Sequence, residues 1–351
     1  MNADFFMSRA LKLADSPEDC LLPNPRVGAV IVRDQKIVGE GFHRGPGFPH
    51  AEIEAIKNAE KRGVRKFDRC EIYVTLEPCC HLKKRTPPCV PVLIEKKFKR
   101  VIVANLDPNP LVSGKGIQEL KKAGVSVNVG TLAFEAMKIN QDYIKNQQTK
   151  LPYITLKIAT TFDGKMADDF GKSKWITTEE SRAEVQKIRA RANAIGVGRN
   201  TIDRDNPSLN VRLSKKSLQR IIVIFGRPSK PLNRLKVTRK NGSENIHVVE
   251  TKKGLQKTLR SLFDQGILHL MIEGGSKLAS EFLREGLIDQ IHLFQGKGFL
   301  GGKGRYSIGS HWGLMRLEKS IKFSPENVRL LGSDVLIQGF THVYRTHSKS
   351  R

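Results

Sequence analysis

Residues 50–89 combine potential metal ligands with an order of secondary structure that narrows the choice of fold. His50 and Glu52 open a segment of helical composition, "PHAEIEAIKNAEKRG", and the β-branched run "CEIYVTL" follows it. That run leads into "EPCCHLKKRTPPC", which contains Cys79 and Cys89. These side chains can meet only if two helix starts on either side of a strand face one point. The feature therefore favours an α/β domain with helices packed on a sheet.

The cysteines could form a disulfide, hold a metal or be unrelated. The first twenty residues lack a basic start, an uninterrupted apolar stretch and a small-residue cleavage site, so we expect no signal peptide and a cytoplasmic location. Thiols stay reduced in that compartment, and the chain has an odd number of cysteines, five. A disulfide is therefore disfavoured, and a metal site is the stronger interpretation.

Zinc in a catalytic site takes three protein ligands and leaves a fourth position open. Cys79 and Cys89 supply two thiolates, and His50 at the start of a helix supplies an imidazole. Glu52 lies about 200° round the helix from His50, which suits a proton shuttle better than a fourth ligand. His-x-Glu with two cysteines and a non-ligand glutamate is the arrangement of zinc nucleobase deaminases. We interpret Cys80 as a packing residue, and Cys20 and Cys70 likewise.

A chain of 351 residues is long enough for about two domains. Strand and helix signals alternate in both halves, which indicates α/β architecture throughout. The polar helical stretch "EAMKINQDYIKNQQTKLP" precedes a fresh strand, "YITLKIA", so we predict domains 1–147 and 148–351. The tail "RTHSKSR" is expected to fray. No apolar run approaches the roughly 18 residues of a membrane span, so no membrane partner is expected.

The net charge of +26 would ordinarily suggest a polyanionic partner. Here the Lys and Arg residues occur in short, scattered pieces, and only 7% of residues are aromatic. Without an RNA-binding signature, a basic solvated surface is the favoured interpretation, and nucleic-acid binding is kept as the alternative. A phosphorylated small substrate would also be attracted by such a field.

Several separated motifs, in order, cover nearly the whole chain. The first half has "LPNPRVGAVIV", "RTPPC" and "DPNPLVSGKG", and the second has "LKIATTFDGKMA", "GKSKWIT", "VGRNTIDRDNPSLNVR" and "IEGGSKLASEFLREGLIDQ". With these motifs the chain resembles the bifunctional riboflavin-biosynthesis deaminase–reductases. The resemblance implies an N-terminal cytidine-deaminase-like three-layer α/β/α domain and a C-terminal dihydrofolate-reductase-like α/β domain. It also implies a homo-oligomer.

The family resemblance implies two successive reactions on one phosphorylated pyrimidine. A zinc-dependent site removes the 2-amino group of 2,5-diamino-6-ribosylamino-4(3H)-pyrimidinone 5′-phosphate, and an NADPH-dependent site then reduces the ribosyl chain to ribityl. In the first site the resemblance implies zinc ligands His50, Cys79 and Cys89, the proton shuttle Glu52, and substrate contacts from Asn24, His43, Arg85, Asp107 and Asn109. For Asn24 and Asn109, turn formation beside proline is the alternative role.

The second site is assigned in the same way. Expected substrate contacts are Ser173, Leu209, Glu273, and Arg189 and Arg212, which the resemblance implies bind the substrate phosphate. Expected cofactor contacts are Lys157, Asp163, Trp175, Thr177, Thr201, Asp205, Gly274 and Gly275. A core position is the alternative for Trp175, and the glycine pair suits backbone contact with cofactor phosphates at a helix N-terminus.

The sequence departs from the family pattern at two points. Nine residues, rather than the usual eight, separate Cys79 from Cys89, and the extra residue affects where Arg85 is placed. An enzyme in which only the deaminase or only the reductase is active is therefore kept as an alternative. Asn206 stands where an aspartate is common. A nucleic-acid-editing deaminase is a further alternative, disfavoured by the wide cysteine spacing and the reductase-like half.

Overall fold

The computed structural model describes residues 2–16, 19–81, 87–213, 219–302, 306–310, 312 and 316–346. The chain divides into two compact units, one formed by residues 1–149 together with 344–351 and the other by residues 150–343. The observed division lies two residues after the predicted boundary. It also returns the C-terminal residues to the first unit, where the sequence had assigned them to the second.

The first unit alternates strands and helices, as the composition predicts. Its elements are α1 (Ala3–Asp15), β1 (Gly28–Arg33), β2 (Lys36–Phe42), α2 (Ala51–Lys61), β3 (Cys70–Val74), α3 (Cys89–Glu95), β4 (Arg100–Val103), α4 (Lys115–Lys122), β5 (Ser126–Val129), α5 (Ala133–Ile139) and α6 (Gln141–Thr149).

The five strands form one mixed sheet in the order β2-β1-β3-β4-β5. Strands β1 and β2 make an antiparallel hairpin, and β3, β4 and β5 run parallel. Alternate residues of each strand enter different cores. Ile31, Ile72 and Val101 pack in a core with α2, α3 and α4, whereas Val30 and Ile102 pack with α1 and α5. The predicted three-layer α/β/α domain is confirmed.

The hairpin fixes the position of α2 on the sheet. Asp34 and Gln35 at its tip adopt left-handed backbone angles (φ 49° and 59°), the conformation of a tight two-residue turn. On β2, a Cβ added to Gly41 would lie 2.4 Å from the backbone nitrogen of Ala55. The strand and helix therefore approach closely, and the start of α2, with His50 immediately before it, is held against the sheet.

The second unit repeats the alternation. Its elements are β6 (Tyr153–Thr160), α7 (Glu179–Arg191), β7 (Ala194–Gly198), α8 (Arg199–Asp205), β8 (Ile221–Phe225), α9 (Lys236–Asn241), β9 (Ile246–Val249), α10 (Leu255–Asp264), β10 (His269–Ile272), α11 (Ser276–Arg284), β11 (Gln290–Gln295), β12 (Ser324–Leu331) and β13 (Asp334–Phe340).

These strands form an eight-stranded sheet in the order β12-β13-β11-β6-β10-β7-β8-β9. The six strands from β11 to β9 are parallel, and β13 and β12 add an antiparallel edge. Helices α10 and α11 cover one face, and α7, α8 and α9 pack on the other. The carboxyl ends of β6, β10, β7, β8 and β9 consequently meet at one edge, which is where parallel α/β sheets bind ligands.

The described C-terminal residues make hydrogen bonds with the first unit. Tyr344 exchanges hydrogen bonds with the side chain of Gln141, and the Thr346 hydroxyl donates to Asn105 Oδ1 at 3.3 Å. The expectation of a frayed tail is therefore wrong for Arg345 and Thr346. No helix among the described residues is both long and apolar enough to cross a membrane.

Candidate active sites

His50, Cys79 and Cys89 converge in the first unit as the sequence predicts. His50 Nδ1 lies 3.4 Å from Cys79 Sγ and 3.3 Å from Cys89 Sγ, and the two sulfur atoms are 3.5 Å apart. Ideal tetrahedral zinc bonds to one nitrogen and two sulfur atoms would separate these atoms by roughly 3.6–3.8 Å. The three side chains thus fit a zinc ion, and Cys79 and Cys89 are thiols rather than disulfide partners.

Local backbone structure holds each of these three residues. His50 is the N-cap of α2, Cys89 is the first residue of α3, and Cys79 follows β3. The backbone nitrogens of Cys89 and Val90 donate to the carbonyl of Cys79 at 3.0 and 3.2 Å, which closes the base of the intervening loop. The ligand positions therefore do not depend on the length of that loop. Arg85, predicted to contact substrate, lies outside the described residues.

Glu52 is buried on the first turn of α2, beside this cluster. Burial raises the pKa of its carboxyl, and nearby Cys79 raises it further, while His50 and a hydrogen bond with Cys89 lower it. A carboxyl of raised pKa next to a metal site is suited to taking up and returning a proton near neutral pH. This position agrees with the shuttle role expected for Glu52.

Asn24 and His43 form one wall of the same site. Asn24 Nδ2 donates to His43 Nε2 at 2.7 Å, and His43 Nδ1 lies 3.1 Å from the carbonyl of Pro49. These partners assign the proton to Nδ1 and leave the ring neutral. Burial lowers the pKa of His43, which favours the same neutral form. The rings of His43 and His50 are 5.3 Å apart, so Asn24 holds a histidine that lies beside a metal ligand.

Asp107 and Asn109 follow β4, and sequence reasoning missed the tyrosine that joins them. Asp107 Oδ1 accepts hydrogen bonds from the Asn109 backbone nitrogen at 2.8 Å and from the Tyr143 hydroxyl at 2.9 Å. Burial raises the pKa of Asp107 to about 6, although both hydrogen bonds act to lower it. Asn109 Oδ1 also accepts from the backbone nitrogen of Leu111 at 3.0 Å, so the turn-forming role of Asn109 is present.

Glu77 of "EPC" has a structural role that sequence reasoning also missed. Its Oε2 accepts from the backbone nitrogens of Gly114 and Asp107 at 2.8 and 3.2 Å, and its Oε1 accepts from Ile117 at 3.3 Å. Burial raises the pKa of Glu77, whereas these backbone hydrogen bonds act to lower it. Glu77 thereby ties the segment after β3 to Asp107 and to the start of α4.

The second unit has a cavity of about 1020 Å³ at the carboxyl ends of its parallel strands. Nine of the residues expected from the resemblance line it: Lys157, Ser173, Arg189, Thr201, Asp205, Leu209, Glu273, Gly274 and Gly275. Gly275 is the N-cap of α11, which directs the first backbone N–H groups of that helix toward the cavity. The position suits a cofactor phosphate.

The floor of the cavity holds a charged group of three residues. Arg189 donates from Nε to Glu273 Oε1 and from Nη2 to Oε2 at 2.8 Å, and its Nη1 donates to the carbonyl of Asn210 at 3.3 Å. Burial opposes ionisation of Glu273, but Arg189 outweighs it, so the pKa of Glu273 lies below its ordinary value. Burial lowers the pKa of Lys157, while Glu273 raises it. Arg189 is thus engaged by a protein carboxylate.

Four other expected residues do not line this cavity. Asp163 accepts hydrogen bonds from Thr161 Oγ1 at 2.5 Å and from the backbone nitrogens of Leu300 and Gly301. The other three are Arg212, Thr177 and Trp175. Arg212 is exposed, and Trp175 is 73% exposed and packs its ring against Arg182. A core position for Trp175 is therefore wrong. Their cofactor and substrate roles stay predictions.

Several cavity residues were not anticipated. Arg227 follows β8, Glu250 and Lys252 follow β9, and Arg204 lies near the hydroxyl of Tyr306, all in the cavity lining. The rule that ligands bind at the carboxyl ends of parallel strands is the signal that could have found the first three. Asn206, the other departure from the family pattern, caps α8, and its Oδ1 accepts from the Lys236 backbone nitrogen at 2.9 Å.

Comparisons with known proteins match both units. Residues 1–105 match the cytidine and deoxycytidylate deaminase zinc-binding region, and residues 152–337 match the RibD C-terminal domain. The riboflavin biosynthesis protein RibD of Aquifex aeolicus is 40% identical, across 95% of this chain and 96% of the relative. The Escherichia coli protein of the same name is 34% identical, across 96% and 99%. The chain belongs to the RibD family.

Solved structures agree with this assignment. RibD of Acinetobacter baumannii superposes with a TM-score of 0.85 at 34% identity, covering 96% of this chain and 98% of that one. A Thermotoga maritima deaminase–reductase superposes with a TM-score of 0.84 at the same identity and coverage. The expected fold class is confirmed, and the chain is a bifunctional enzyme of riboflavin biosynthesis with a deaminase and a reductase domain. A nucleic-acid-editing deaminase is not favoured.

Proposed function

We propose that the first unit deaminates 2,5-diamino-6-ribosylamino-4(3H)-pyrimidinone 5′-phosphate and that the second unit reduces the ribosyl chain of the product to ribityl with NADPH. The observation that carries this proposal is the convergence of His50, Cys79 and Cys89 beside the buried Glu52. The Thermotoga maritima relative is described as a diaminohydroxyphosphoribosylaminopyrimidine deaminase and 5-amino-6-(5-phosphoribosylamino)uracil reductase, which supports this substrate.

In the deaminase site, His50, Cys79 and Cys89 would hold zinc. Bound zinc supplies the acidity that makes a water molecule a nucleophile near neutral pH. Glu52 accepts the proton that the water loses as it attacks C2 of the pyrimidine. Glu52 then returns a proton to the 2-amino group, which leaves as ammonia. Because the pKa of Glu52 is raised, its carboxyl group can both accept and donate a proton near neutral pH.

The remaining residues of this site orient the pyrimidine. Asp107 offers a carboxylate to ring N–H and amino donors, and Asn24 keeps His43 neutral and fixed. We propose Asn109 as an additional amide contact. Arg85 would bind the substrate phosphate, since a guanidinium can contact phosphate oxygens in a bidentate manner.

In the reductase site, NADPH supplies the hydride. We propose that Gly274, Gly275, Thr201 and Asp205 position the dinucleotide. Arg227 and Lys252 line the cavity beyond the ends of β8 and β9, and these cations would favour the additional 2′-phosphate that distinguishes NADPH from NADH.

The substrate would lie at the floor of this cavity, beside Lys157 and Glu273. Ser173 and Leu209 complete this part of the wall. Because Arg189 is paired with Glu273, we propose that it acts on the substrate by holding that carboxylate in place. The sequence instead led us to expect a direct contact between Arg189 and the substrate phosphate. We keep the cofactor roles of Asp163, Trp175 and Thr177 and the phosphate role of Arg212 as proposals that require these residues to approach the bound ligands.

We further propose a homo-oligomeric, cytoplasmic enzyme that binds no nucleic acid. A site built on two cysteine thiolates suits a compartment in which cysteines stay reduced. On β12, at the edge of the second sheet, Val328 and Leu330 are 61% and 76% exposed, and we propose that a second copy covers these two apolar side chains. Replacing both by glutamate should shift the mass measured by light scattering to that of a monomer, whereas an unchanged mass would contradict this interface.

The proposed activities are tested by following ammonia release and NADPH oxidation separately. Purified protein is incubated with the diaminopyrimidine nucleotide, zinc and NADPH, and its metal content is measured. We expect about one zinc per chain, ammonia release without NADPH, and NADPH oxidation only after deamination. Protein that binds no zinc would contradict the metal site. Release of ammonia without any NADPH oxidation would support the alternative of one working half.

A further inference from the structure

We infer that Tyr143 is a positioning residue of the deaminase site, acting through Asp107. The inference rests on the proposed function of that site and adds a residue that its motifs do not contain. Tyr143 lies on α6, the last helix before the second unit begins, and it is 36 residues from Asp107 in the sequence. Its side chain is buried, with 5% of its surface exposed.

The contacts of Tyr143 converge on two residues of the segment that follows β4, Asp107 and Asn109. Its hydroxyl donates to Asp107 Oδ1 at 2.9 Å and also has a hydrogen-bonding contact with the side chain of Asn109. Within the described part of the chain, the Asp107 carboxylate accepts two hydrogen bonds, and both go to Oδ1. The carboxylate is thereby held by one oxygen, and Oδ2 is left to accept a hydrogen bond from the pyrimidine.

The same hydroxyl affects the charge of Asp107. A buried carboxyl tends to become neutral, and a protonated Asp107 would be a weaker acceptor for ring N–H and amino groups. Burial, Glu77 and Cys79 raise the pKa of Asp107, whereas the hydrogen bonds of Asn109 and Tyr143 lower it. Tyr143 therefore holds the carboxylate in place and favours its ionised form.

The experiment compares Tyr143→Phe with the unsubstituted full-length, zinc-loaded enzyme. Loss of a hydrogen bond to a charged group should lower deaminase kcat/KM about tenfold or more, mainly through KM. The acidic limb of the deaminase pH profile should move to higher pH, because the pKa of Asp107 rises without the hydroxyl. Reduction of the deaminated intermediate by the same preparation should be unchanged.

Tyr73→Phe is the matched control. Tyr73 is also buried in the first unit, and its hydroxyl also donates to a carboxylate, Glu71 Oε2, at 3.1 Å. Glu71 is on β3, at the end opposite to the metal cluster. We expect Tyr73→Phe to leave deaminase KM and its pH profile within about twofold of the unsubstituted enzyme.

A second test asks whether Tyr143 acts through Asp107. In an Asp107→Asn background, Tyr143→Phe should change kcat/KM less than about twofold, because interacting residues are non-additive. The inference is overturned by an unchanged pH profile and KM in Tyr143→Phe, by a parallel fall in both activities, or by a full effect in the Asp107→Asn background. Failure of the unsubstituted enzyme to release ammonia would instead contradict the proposed function itself.

Discussion

The metal cluster of the first unit and the cavity of the second unit arrange their polar groups on very different scales. In the first, three ligand atoms lie within 3.5 Å of one another. His50 and Cys89 lie at helix starts, and Cys79 lies in the loop that follows β3. In the second, side chains from the ends of five strands line a cavity of about 1020 Å³. Chemistry on one ion needs a compact, fixed set of atoms, whereas a dinucleotide and a sugar phosphate need an extended surface.

The two regions also differ in their sensitivity to a single change. Every member of the metal cluster is needed, because zinc loses an entire ligand with each substitution. The cavity is lined by many residues, and Lys157, Arg189 and Glu273 form a buried charged group within it. Substitutions of the zinc ligands should therefore abolish activity, whereas substitutions along the cavity wall should have graded effects.

Removal of one zinc ligand should produce the largest effect. Cys89→Ser is expected to lower zinc content and to reduce ammonia release by about a thousandfold or more, while NADPH oxidation on the deaminated intermediate is kept. Metal analysis and the two separate assays check this outcome. Cys80→Ser is the matched control, because Cys80 is half-buried and lies outside the cluster, and it should retain both activities. Loss of zinc in the control would mean that Cys80 has been assigned the wrong role.

Glu273→Gln tests the concentrated charge of the second unit. We expect reductase activity to fall about a hundredfold, and the free energy of unfolding to drop by about 3 kcal/mol, because Arg189 is left buried without its carboxylate. Urea unfolding and NADPH oxidation measure the two effects. Glu184→Gln breaks the more exposed pair with Arg329 and should cost at most about 1 kcal/mol. Equal losses in the two variants would show that burial of the first pair is unimportant.

A buried histidine should make the stability of the second unit depend on pH. Burial lowers the pKa of His292 to about 3, below its ordinary value of 6.5. Between these two pH values the unfolded chain binds one more proton than the folded chain. The free energy of unfolding is therefore unaffected by His292 above pH 6.5 and falls by about 1.4 kcal/mol for each pH unit below it. His292→Gln should flatten the slope in denaturant titrations from pH 7 to 4. An unchanged slope would contradict the shift.

Cofactor preference should show the smallest effect, because it depends on exposed charges. The double variant Arg227→Gln, Lys252→Gln is expected to raise KM for NADPH about fivefold and to leave KM for NADH unchanged, since exposed ion pairs are weak. Lys253→Gln, a neighbouring exposed residue outside the cavity lining, is the control. An equal rise in KM for both cofactors would contradict a 2′-phosphate contact.

The sequence alone was sufficient to predict the metal cluster, because the order of helices and strands brings its three ligands together. A strand that ends before Cys79 and helices that begin after His50 and at Cys89 bring the ligands together, whatever happens in the loop between the cysteines. Tyr143 and Glu77 could not be predicted in this way. Tyr143 meets Asp107 only after the chain has passed through β5 and α5, and Glu77 acts through backbone groups of the segment that leads into α4.

In the second unit, several residues expected from the resemblance lie at or beside regular elements and line the cavity, as do Ser173 and Leu209 in connections, whereas others in connections do not. Glu273, Gly274, Thr201 and Lys157 lie on or beside regular elements and line the cavity. Asp163, Trp175 and Arg212 lie in connections, where backbone conformation is set by tertiary contacts that periodicity does not report. Arg227 and Lys252, which follow β8 and β9, belong to none of the sequence motifs. They are neighbours because β8 and β9 are adjacent in the sheet.

The Glu52→Gln variant tests the division of labour between the two units most directly. The substitution keeps the shape of the side chain but removes the group that transfers protons, so ammonia release from the diaminopyrimidine nucleotide should be abolished. The same protein should retain about one zinc per chain and oxidise NADPH at the unsubstituted rate when given the already deaminated intermediate. A parallel loss of both activities, or normal ammonia release, would contradict two separate sites with Glu52 as the proton shuttle of the first.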